Sequence, residues 1–118
     1  MQITIKGIPP AQSEVSIPGK FGWFRSRKGK EWDALVAETV GTRRAPNSPF
    51  YAVTVTICQP TKRGKLSCRF KTLFDALTKC GFWEDDRKVA SIVVQYGPRS
   101  LEKTIVDVRG VKRKWKTS

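Results

Sequence analysis

Apolar and polar positions change period several times along this chain, and each change marks an element. Residues 2–6, Gln-Ile-Thr-Ile-Lys, alternate as a short strand that Gly7 and the Pro9-Pro10 turn bring to an end. Residues 11–29 hold no sustained period and contain Pro18, Gly19, Gly22 and Gly29, so they read as one long connection. A connection of that length inside a compact domain tends to be functional or mobile. Trp32, Leu35, Val36 and Thr39 then lie on one side of a first helix, roughly residues 30–40, which Gly41 stops. Val53, Val55 and Ile57 alternate with Thr54 and Thr56 across residues 50–58, the clearest strand in the chain, ended by Pro60. Phe70, Leu73, Phe74 and Leu77 stand at i, i+3, i+4 and i+7, which predicts a second helix over about 67–80. Ser67 is placed to cap its start and Gly81 its end.

The apolar run 90–95 reads as a central strand, Gly97-Pro98 as a turn, and the alternation over 103–109 as a last strand. The two runs are spaced like an antiparallel hairpin. The order β-α-β-α-β-β predicts an α+β domain, a small mixed β-sheet with two helices packed on one face. Residues 1–110 make this single domain, and 111–118 form a basic C-terminal tail.

Composition narrows the classes. With 118 residues and 39% hydrophobic positions, the chain can bury a core without metal or disulfide help. Cys58, Cys68 and Cys80 form no C-x-x-C pair, and histidine is absent, which argues against structural zinc and against Ser–His or Cys–His nucleophiles. No apolar run is long enough to cross a membrane, and the first residues lack a signal-peptide layout; a cytoplasmic protein with reduced thiols is expected. Twenty-three Lys and Arg against ten Asp and Glu leave +13, a balance that favours a polyanionic partner.

The cations are clustered. Lys20, Arg25, Arg27, Lys28 and Lys30 are interleaved with Phe21, Trp23 and Phe24, a mixture that suits phosphates and unpaired bases together. Arg43 and Arg44 make a basic turn. Lys62, Arg63 and Lys65 feed the second helix, which itself carries Arg69 and Lys71, and Lys112, Arg113 and Lys114 lie in the tail. These are the candidate DNA-binding residues. Against this background the run Glu84-Asp85-Asp86, just past the second helix, is exceptional. Lys71, Asp75 and Thr78 share one flank of that helix, with Lys71 and Asp75 at ion-pairing distance in sequence.

The run Phe74-Asp-Ala-Leu-Thr-Lys79 followed by Gly81-Phe-Trp and Asp85-Asp86 resembles the RusA family of phage-type Holliday-junction resolvases. Ile8-Pro9-Pro10 is similar to the Pro-Pro turn after that family's first strand, and the order of elements fits over nearly the whole length. The resemblance implies a homodimer that recognises four-way DNA junctions. It also implies catalytic roles for Lys71 and Asp86 and Mg²⁺ held by Asp85 and Asp86. Family members carry Asp-x-Asp-Asn ahead of the helix as further magnesium ligands; here Lys65, Leu66, Ser67 and Cys68 stand in those places.

Loss of both upstream carboxylates weakens the case for cleavage, because phosphodiester hydrolysis needs acids that converge on the metal. Lys65 replaces one of them and could neutralise Asp86 as an ion pair in the metal's stead. The sequence thus predicts a protein that binds branched DNA with lost or weak nuclease activity. Two alternatives stay open. One is an active Mg²⁺-dependent resolvase using Asp85, Asp86 and Asp75 in a rearranged site. The other is a phage interaction protein that has reused the fold to bind a host protein.

Overall fold

A computed structural model describes residues 1–19, 22–59, 67–99 and 102–112. The fold is α+β. A four-stranded mixed sheet is built from β1 (Gln2–Ile5), β4 (Phe50–Cys58), β5 (Val89–Tyr96) and β6 (Lys103–Val111), in the order β1-β6-β4-β5. Two long helices, α2 (Arg27–Val40) and α3 (Ser67–Lys79), cover one face. Between β1 and α2 lie a short helix, α1 (Gln12–Val15), and a separate hairpin of β2 (Ser16–Gly19) and β3 (Gly22–Arg25).

The alternation in β4 determines which face is covered. Tyr51, Val53, Val55 and Ile57 are buried against the helices, while Phe50, Ala52, Thr54 and Thr56 point to the other side and stay half-exposed. Register carries the pattern outward: Val53 lies opposite Val108, Val55 opposite Val106, and Val106 opposite Ile3. Trp32, Val36 and Val40 from α2 and Leu73, Phe74 and Leu77 from α3 complete the core. Each such side chain, fully buried, is worth about 1.5–3 kcal/mol relative to exposure. Thr104 sits at a core position of β6 and is tolerated because its hydroxyl donates to the Gly7 carbonyl at 2.7 Å.

Three expectations are corrected. The run over 90–95 is not central: β5 is an edge strand, parallel to β4, and its residues 91–93 are exposed. Nor do β5 and β6 form a hairpin, because β4 lies between them and pairs with both. Parallel neighbours need a crossover, and α3 supplies it between β4 and β5. The segment 11–29 is also more than a connection. Val15 is buried, the Ser26 N–H donates to the Val15 carbonyl at 2.8 Å, and the Ser26 hydroxyl donates to the Glu14 carbonyl at 2.6 Å. The same hydroxyl caps α2 by accepting from the Gly29 N–H, so the helix starts at Arg27 and not at residue 30. Gly29 lets this unit dock: a Cβ there would lie 2.9 Å from the Val15 side chain.

β6 runs to Val111, so the sheet takes in the first residue of the expected tail; residues 113–118 lie outside the described part. Among the described residues no helix is long and apolar enough to cross a membrane.

Candidate nucleic-acid interface

The C-terminal end of α3 is shaped by Gly81. Its φ of +83° is a conformation that glycine adopts without steric cost. The Gly81 N–H donates to the Thr78 carbonyl and the Phe82 N–H to the Leu77 carbonyl, the paired bonds of a Schellman cap. The reversal drives Phe82 and Trp83 into the core. Trp83 stacks on Tyr51 with ring centroids 5.9 Å apart and meets the edge of Phe74 at 5.4 Å. Its indole N–H donates to the Thr78 hydroxyl at 2.7 Å, and that hydroxyl donates to the Phe74 carbonyl. One flank of the helix is thereby committed to structure at Thr78.

Immediately afterwards the chain surfaces. Glu84 is exposed and pairs with Lys88 at 3.4 Å. Asp85 is half-buried, and Arg87 occupies both its oxygens: the guanidinium donates to Oδ2 at 2.8 Å and the backbone N–H to Oδ1 at 2.9 Å. Asp86 opens a 3-10 turn over Asp86–Lys88, and its side chain lies outside the described part. A shallow polar cavity of about 340 Å³ sits beside these residues, lined by Arg44, Asn47, Tyr51, Trp83, Glu84 and Lys88 among others.

Lys71 is exposed on α3 and pairs with no acid among the described residues. The ion pair expected from its i, i+4 spacing to Asp75 is not formed, although Asp75 is exposed too. Among the described residues no three acidic or thiol side chains converge to hold a metal. Lys65, and with it the expected ion pair to Asp86, lies outside the described residues.

The other candidate cations divide by what they touch. Arg25 is held in a bidentate pair with Asp33, at 2.6 and 3.1 Å, and Asp33 also receives Lys79 at 3.3 Å. Arg27 pairs with Glu31 and Lys28 with Glu14. The Lys28 ammonium, with the Ala11 N–H, holds the Glu14 carboxyl below the usual range. Stability from that pair is present above the ordinary glutamate pKa and is lost as pH falls through the lowered folded value. Arg43 and Arg44 donate to carbonyls at the end of α2, and Arg69 reaches the Pro9 carbonyl at 2.7 Å, tying α3 to the Pro-Pro turn. Lys30 and Lys112 are exposed and outside any ion pair among the described residues, like Lys71. Lys20, Lys62, Arg63, Arg113 and Lys114 lie outside the described residues, as do Phe21 and the side chains of Trp23 and Phe24.

Sequence reasoning counted Arg109 with the basic cluster 109–116 and passed over Lys103. Both are odd-numbered residues of β6, on the sheet face away from the helices, and Arg109 is exposed. The alternation over 103–109 carried that information, since it placed both residues on the side opposite Val106 and Val108. No protein-family model matches the chain, and no curated protein matches it either.

Proposed function

We propose that this chain is a RusA-like protein that binds branched DNA, four-way junctions in particular, as a homodimer with weak or absent nuclease activity. The observation that carries the reading is the contrast between Lys71 and Asp85. The lysine ammonium is exposed and pairs with no acid among the described residues, whereas the carboxylate is engaged by Arg87. A free cation on the helix can neutralise a phosphate, while a carboxylate already bridged by a guanidinium is poorly disposed to hold Mg²⁺. Any cleavage that persists would need Mg²⁺. The net charge of +13 supports a polyanion as partner and supplies the long-range attraction.

The decisive experiment incubates the protein with a labelled four-way junction, with and without Mg²⁺ or Mn²⁺, and scores retardation and nicking. Retardation without nicking is expected, and rescue of cleavage by Lys65→Asp with Ser67→Asp would strengthen the reading. Paired symmetrical nicks by the unaltered chain would establish an active resolvase instead. Poor junction affinity together with a co-purifying protein would point to a host-protein partner. Lys71→Ala should weaken junction binding modestly and lower the salt slope by about one unit. Unchanged affinity at low salt would remove Lys71 from the interface.

A further inference from the structure

The segment before β4 and the chain just after α3 run side by side, because the Ala45 N–H donates to the Phe82 carbonyl at 2.8 Å. Both line the polar cavity of about 340 Å³, a volume near the lower end of the range for small-molecule sites, about 300–1,000 Å³. Tyr51 and Trp83 give it buried aromatic walls, and Arg44, Asn47 and Glu84 give it exposed polar ones. Tyr51 is only 6% exposed, yet its hydroxyl makes no hydrogen bond among the described residues. The described side-chain atoms that are both sealed from solvent and unpartnered are Trp32 Nε1, Gln59 Nε2 and Thr72 Oγ1. The Tyr51 hydroxyl is not one of them, so it opens on the cavity. Arg44 is steered to the same place: Nη1 donates to the Gly41 and Arg43 carbonyls at 3.3 and 2.8 Å. Its Nη2 would lie 3.9 Å from a Cβ built on Gly81, another residue of the cavity wall. Lys88 adds a second cation, and its pair with the exposed Glu84, at 3.4 Å, is of a kind worth little in water.

We propose that this cavity binds one unpaired nucleotide of DNA, with the phosphate on Arg44 and Lys88 and the base edge on the Tyr51 hydroxyl and the Asn47 amide. The two cations select a phosphate, since a guanidinium fork and an ammonium are the usual partners of phosphate oxygens. Cations alone would hold any polyanion. The hydroxyl and the amide narrow the choice, because each both donates and accepts, as the edge of a base does. A bare phosphate offers acceptors alone and would leave the accepting oxygens of Tyr51 and Asn47 without a role. A base inside a duplex has its pairing edge occupied, so only a base outside the stack can present that edge to a protein. Tyr51 stacks on Trp83, and both rings are buried; the base is therefore read at its edge and not by stacking on them. The inference rests on the DNA-binding reading and adds which part of the DNA enters the protein.

Fluorescence anisotropy tests it with three end-labelled duplexes of one length at one salt concentration: fully paired, with a single unpaired base, and with a single unpaired abasic site. The abasic bulge keeps the extra phosphate and the flexibility but lacks the base. The base-bearing bulge should bind at least about fivefold more tightly than either of the others. Tyr51→Phe keeps the ring against Trp83 and removes only the hydroxyl, and Asn47 is exposed, so Tyr51→Phe and Asn47→Ala should both keep the parent far-ultraviolet circular dichroism. Each should weaken binding of the base-bearing bulge about threefold to tenfold and leave the paired duplex unchanged. Equal affinity for all three duplexes, equal preference for both bulges, or a preference that survives either substitution would overturn the proposal. So would a free deoxynucleoside monophosphate that binds as tightly as the base-bearing bulge, since the ligand would then be the free nucleotide. Weak binding of every duplex would overturn the DNA reading as well, whereas tight binding without preference would remove the cavity alone.

Discussion

Residues 81–83 and 84–86 are neighbours in the chain and opposites in environment. Gly81 reverses the backbone, and Phe82 and Trp83 are almost wholly buried behind Tyr51 and Phe74. Glu84 and Asp85 stand at the surface, where their partners are the nearby Lys88 and Arg87. The first triplet specifies a fold, because its neighbours come from β4, α3 and the segment before β4, where the Ala45 N–H bonds the Phe82 carbonyl. A motif spanning both triplets is therefore stronger evidence about scaffold than about reaction.

That division predicts a steep gradient of effects. Trp83→Ala should cost about 3–5 kcal/mol in denaturant unfolding, the range for emptying a large aromatic site in a packed core. A loss below one kilocalorie would mean that Trp83 packs loosely and that the contrast is overstated. Thr78→Val removes the acceptor for the indole N–H and should cost about 1–3 kcal/mol, the penalty for a stranded buried donor. Pairing it with Trp83→Phe should recover part of that loss, since phenylalanine has no such donor. Gly81→Ala forces a side chain into the left-handed region and should cost about 1–2 kcal/mol by the same measurement. Asp85→Asn should change stability by no more than about 0.5 kcal/mol, since its pair with Arg87 is local and the guanidinium is exposed. If that substitution instead matched Gly81→Ala, the acidic triplet would belong to the scaffold as well.

Much of this architecture was legible because period and burial agree. The threonine-separated Val53, Val55 and Ile57 could only be a one-face strand, and the spacing of Leu73, Phe74 and Leu77 could only be a helix packed through that side. β5 misled because an apolar run reads as buried on both faces, while here its exposed residues line an open edge. Which of two apolar strands lies at the centre is a matter of connection, and the spacing of the runs at 90–95 and 103–109 did not reveal that β4 inserts between them. The hairpin of β2 and β3 was missed because its strands are four residues each and contain Pro18, Gly19 and Gly22, which locally resemble loop. Of the site, the exposure of Lys71 fits its place on the helix. The engagement of Arg25 with Asp33 could not be read, since it depends on how the hairpin docks against α2.

The order of strands carries a consequence for synthesis. Gln2 pairs with Asp107, so the first strand waits for the last before it has any partner in the sheet. At translation rates of about 5–20 residues per second, Ile3 and Ile5 stay without their β6 partner for about 5–20 s. Pairings so distant in sequence slow folding, because loop closure comes before the contacts that reward it. Only late in that interval, once β5 is complete, does the half-made sheet present β4 as a second open edge where β6 inserts.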